Sequence, residues 1–65
     1  MTSQIVKHHE TISGIALMFS PDTQEYWIGE YDSRARHGSL EPPYVWASGN
    51  WTSLEEAEIS LSLWI

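Results

Sequence analysis

Three histidines and nine carboxylates are the groups in this 65-residue chain with the most chemistry to offer. His8 and His9 are neighbours. On a regular strand, neighbours point to opposite faces, so the pair does not close on one metal ion. No ligand spacing ties either of them to His37. Glu55 and Glu56 are adjacent carboxylates of the kind that general acid–base chemistry uses. They stand at the start of a helical pattern, where acids serve the cap and the helix dipole. The sequence has no Gly-rich phosphate loop, no nucleophile elbow and no Ser/His/Asp arrangement in a recognisable context. Cysteine is absent, which removes thiol catalysis, zinc fingers and disulfide scaffolds together. The expectation is a protein with no cofactor, no metal and no catalytic site.

Charge points to binding instead. Nine acids face three basic residues, for a formal net charge of −6. The aromatic side chains could stack on bases, but such platforms come with a basic groove, and the chain offers only Lys7, Arg34 and Arg36. Direct nucleic-acid binding is therefore not expected. An acidic surface is attracted to basic ones, and basic surfaces in a cell often bind nucleic acid. Two readings of the acidity stand: it keeps a small domain soluble, or it forms a binding surface. In the second reading Glu30, Asp32, Glu55, Glu56 and Glu58 are the leading partner-binding residues. Acids at a strand end and at a helix start can share one rim of a small domain.

The elements that would carry these groups follow from periodicity. Residues 4–9 read as a short first strand or a lead-in. Residues 11–19 read as a strand, with Ile15, Leu17 and Phe19 on one face and Gly14, Ala16 and Met18 on the other. Ser20-Pro21-Asp22-Thr23 is a turn. Residues 25–31 return antiparallel, with Trp27 and Tyr31 on one face and Tyr26, Ile28 and Glu30 on the other. Residues 32–43 read as a loop, 44–47 as a third strand and 48–50 as a turn. Ser53 and Glu56 fit a capping box ahead of a helix. Leu54, Ala57, Leu61 and Trp64 form its apolar stripe. The expected fold is α+β: a three- or four-stranded antiparallel sheet with one C-terminal amphipathic helix packed on one face. Ile59 and Leu63 project away from that stripe. They are either a protein contact or ordinary exposed apolar residues.

Size adds a constraint. A domain of this length buries only about 60% of the surface its unfolded chain exposes. Four Trp, three Tyr and one Phe supply the large side chains that a small core needs, and little volume remains for a deep cavity. One compact domain spanning 1–65 is expected. The longest mostly apolar stretch, residues 14–19, is too short to cross a bilayer, and residues 1–7 lack a basic leader and an apolar run. No membrane association is expected, and the expected location is the cytoplasm of a bacterial host.

In size, acidity, lack of cysteine and order of strands and helix, the whole chain resembles the small phage-encoded inhibitors of bacterial defence, the anti-CRISPR proteins above all. The nearest local features are the strand Glu25-Tyr26-Trp27-Ile28-Gly29-Glu30-Tyr31 and the helix start Trp51-Thr52-Ser53-Leu54-Glu55-Glu56-Ala57. That family shares no common fold, so the resemblance transfers no site residues. It implies a stoichiometric inhibitor that occupies a CRISPR surveillance complex, often at its DNA-binding surface, where an acidic protein acts as a DNA mimic. The competing reading is a small regulatory interaction module, or a homodimer, that uses the outer helix face.

Overall fold

A computed structural model of the chain describes residues 3–34 and 42–64. Four strands and one helix follow in order: β1 (Gln4–His8), β2 (Ile15–Ser20), β3 (Glu25–Tyr31), β4 (Tyr44–Trp51) and α1 (Leu54–Ser62). The strands form one antiparallel sheet in the order β1-β2-β3-β4. The expected α+β architecture is the one observed, with four strands rather than three.

The β2–β3 pairing fixes the two faces. Leu17 stands opposite Ile28 and Phe19 opposite Tyr26, while Met18 stands opposite Trp27 and Ala16 opposite Gly29. Leu17 and Ile28 face α1 and form the core with Ile15, Ala57 and Leu61; Ile12, Tyr26, Trp51 and Trp64 pack around it. The other alternation of residues belongs to the face without a helix.

Three elements differ from the reading of the sequence. Residues 11–14 are turn rather than strand. The cause is His9: its Nδ1 accepts from the Thr11 backbone N–H at 3.1 Å and from that of Ile12 at 3.0 Å. Its Nε2 lies 3.3 Å from the Trp64 carbonyl, so the same ring ties this turn to the end of α1. Residues 48–50 do not turn the chain but continue β4, which runs for eight residues. Two register shifts against β3 absorb the irregularity. Gly49 takes φ +83°, and the Trp51 ring lies where a Cβ at Gly49 would sit, so only glycine fits.

Leu54 is the third difference. It is 40% exposed, whereas Ala57 and Leu61 are buried as the stripe predicts. Tyr26 and Trp51, rather than Leu54, pack against the core at this end of the helix. The N-cap is as read: Ser53 has extended backbone, and its Oγ accepts from the Glu56 N–H at 3.5 Å.

Leu61 joins helix to sheet in a core of few residues. Leu61→Ala should lower stability by about 2–5 kcal/mol, a large fraction of what a small domain has. Thermal melts followed by circular dichroism test this, and an unchanged midpoint would show that Leu61 is not a core residue.

Candidate binding surfaces

The long β4 decides where the acids go. Trp51 pairs with Tyr26, at the start of β3, so α1 begins at the β2–β3 hairpin end of the sheet. Glu30 pairs with Ile15 and Val45 at the other end. Tyr26 and Glu30 are four residue steps apart along β3, about 13 Å at strand rise. The five candidate acids are thus divided rather than gathered on one rim. Glu55 and Glu56 lie exposed in the first helical turn, at the hairpin end. Glu30 and Asp32 lie at the opposite end.

Two of the five are already engaged. The Asp32 Oδ1 accepts from the Arg34 backbone N–H at 2.9 Å and from its Nε at 3.4 Å. The backbone N–H, helped by the guanidinium, holds this exposed carboxyl below its ordinary value. The turn therefore contributes its stability above the unfolded carboxylate pKa and loses it as pH falls through the lowered folded value. The carboxylate of Glu58 sits 4.0 Å from the Lys7 ammonium on β1. Such an exposed pair contributes little, but it places Glu58 beside the sheet rather than outward.

Ile59 and Leu63 stand one helical turn apart and are 54% and 72% exposed. The outer helix face is therefore an apolar patch open to solvent. Among the described residues no three His, Cys, Asp or Glu side chains converge, and no helix is long and apolar enough to cross a membrane. His37, Arg36 and Glu41 lie outside the described residues.

The sequence points to the tryptophans as core residues, but of the four only Trp51 and Trp64 pack against the core; Trp27 and Trp46 stand on the other face of the sheet. On the face opposite α1, Trp27, Tyr31, Tyr44 and Trp46 form an aromatic layer around Gly29. A Cβ at Gly29 would lie 2.8 Å from Trp27 Cζ3, 3.0 Å from Met18 Cγ and 3.2 Å from Tyr44 Cβ. The absent side chain is what lets these groups close over the sheet, and Met18 beneath them is fully buried without any helix above it. Trp46 remains 60% exposed and Tyr31 51%. Both are fixed in place: the Trp46 Nε1–H donates to the Gly49 carbonyl at 2.8 Å, and the Tyr31 and Tyr44 rings meet edge to face at 5.9 Å. A groove of about 430 Å³ runs between Met18, Trp27, Tyr44 and Trp46. The signal was present in the sequence as two period-2 aromatic patterns, Trp27-x-Gly29-x-Tyr31 and Tyr44-x-Trp46.

Comparison of the chain with protein-family models, with curated proteins and with solved structures gives no match.

Gly29→Val should destabilise the protein by about 1–3 kcal/mol, as overpacking does, and should loosen the aromatic layer. Urea denaturation gives the first quantity and near-ultraviolet circular dichroism the second. A variant with the parent's midpoint and aromatic spectrum would show that the layer does not close on Gly29.

Proposed function

We propose that this chain is a small acidic binding protein that occupies the basic surface of a protein partner and blocks nucleic-acid binding there, in the manner of an anti-CRISPR inhibitor. One observation carries the reading. The two described side chains of fixed positive charge, Lys7 and Arg34, are each set against a carboxylate, within a chain of nine acids and three bases. The acidity is therefore left uncompensated, and Glu55 and Glu56 present it from an exposed helical turn. Carboxylates so placed can stand in for phosphates in a basic groove and speed encounter with it. Because the acids lie at two ends of the domain, the contact is with either the helix-start end or the Glu30 end. The second reading, an interaction module using the outer helix face, is favoured by the exposure of Ile59 and Leu63.

Charge reversal distinguishes these. Glu55→Lys/Glu56→Lys and Glu30→Lys are tested separately in a plasmid-interference assay against CRISPR systems and in capture from bacterial lysate at low and high salt. Loss of the favourable helix-dipole term costs about 0.3–1 kcal/mol per reversed charge, so folding is checked by circular dichroism. One of the two folded variants should lose inhibition, and capture of a nucleic-acid-binding protein should weaken with salt and compete with duplex DNA. Folded variants that both inhibit like the parent, or capture indifferent to salt, would contradict the acidic-surface reading. Loss on Ile59→Glu alone would favour the helix face.

A further inference from the structure

We propose that the open aromatic face of the sheet is the docking surface for a second copy of this chain, with the two sheets stacked face to face and their helices outward. The inference is independent of the acidic-surface reading. It rests on the distribution of charge, on the size of the face and on the way its aromatics are held.

Charge comes first. A chain of net charge −6 repels its own copies wherever acids meet. The described acids lie almost entirely off this face. Glu55, Glu56 and Glu58 are on α1, and Glu30 shares the alternation of Ile28 on the α1 side. Glu10 and Asp22 are in turns, and Asp32 follows the end of β3. Within the strands, Glu25 alone shares the alternation of Trp27, at the hairpin margin. Among the described residues, two copies can therefore meet here with Glu25, at the margin, as the one strand carboxylate on the face. A basic partner, by contrast, finds little on this face to pair with.

Size and form agree. The domain measures 30 × 25 × 15 Å, so its broad face is of the order of the about 800 Å² per partner that a standard interface uses. Stacked antiparallel sheets are a common architecture, about 10 Å apart with interleaved inner-face side chains. An isologous contact must be self-complementary, and this face carries both an exposed indole, Trp46, and a groove of about 430 Å³ beside it. The indole is held by its bond to the Gly49 carbonyl and Tyr31 by its contact with Tyr44. Anchors already fixed lose little freedom on association, and buried Trp and Tyr are the usual centres of interface energy. Stacking would also give a small domain a second buried layer, which its length alone does not supply.

Sedimentation equilibrium of the full chain over a wide concentration range is the test. The expected species has twice the 7.5 kDa chain mass, with a melting temperature that rises with protein concentration. Trp46→Glu and Tyr31→Glu, both at exposed positions, should each raise the dissociation constant by about tenfold or more with the far-ultraviolet spectrum unchanged. Leu63→Glu, on the outer helix face, should leave the dimer intact. If Trp46→Glu perturbs the fold through its lost bond to Gly49, Tyr31→Glu decides. A parent chain that stays monomeric at every concentration would overturn the proposal. So would a dimer that survives both face variants, or one dispersed by Leu63→Glu alone.

Discussion

The described residues hold one helix, and it covers one face of the sheet. Everything else in the structure follows from how the other face is closed. The β2 residues Ile15, Ala16, Leu17 and Met18 are buried without alternation, the pattern of a strand covered on both sides. Leu17 is covered by α1. Met18 is covered by aromatic side chains that fold across Gly29, where no side chain stands in the way. Aromatics suit this task because each covers a large area with few rotatable bonds. The same layer that buries Met18 necessarily turns its outer side to solvent, so closing the core and presenting an apolar surface are one structural solution.

The second consequence runs through β4. Trp51 seats its ring over Gly49, the strand bulges twice instead of turning, and the helix starts at the hairpin end of the sheet. A strand of four residues would have put Glu55 and Glu56 close to Glu30. A strand of eight carries them to the other end. Packing of a single tryptophan against a glycine thus sets the electrostatic shape of the surface, without any charged residue taking part.

The sequence made the fold legible where one signal dominated. The alternation of residues 25–31, the Pro21-Asp22 turn and the Ser53/Glu56 cap each have a local cause, and each stands as read. It was less legible where a distant partner overrode a local preference. Ser48-Gly49-Asn50 has the composition of a turn, but Trp51 and the ladder with β3 keep it within β4, with Gly49 at φ +83°. Residues 11–14 continue a strand pattern, yet the His9 ring takes the backbone N–H groups of Thr11 and Ile12 and the segment bends. Leu54 fits the apolar stripe by angle alone, and the rings that displace it come from other elements. The aromatic face was written in the sequence as Trp27, Tyr31, Tyr44 and Trp46 at period two. Which aromatics belong to the core and which face outward depends on which sheet face the helix covers, and spacing alone does not carry that information.

The aromatic layer is a built surface, and its proposed partner is a second copy of the chain. An isotope-filtered nuclear Overhauser experiment on a mixture of labelled and unlabelled chain tests this most directly, because it detects only contacts between copies. Cross-peaks between copies should involve the Trp46 indole and the Tyr31 ring. Cross-peaks confined to Ile59 and Leu63, or none at concentrations where the protein is folded, would contradict it.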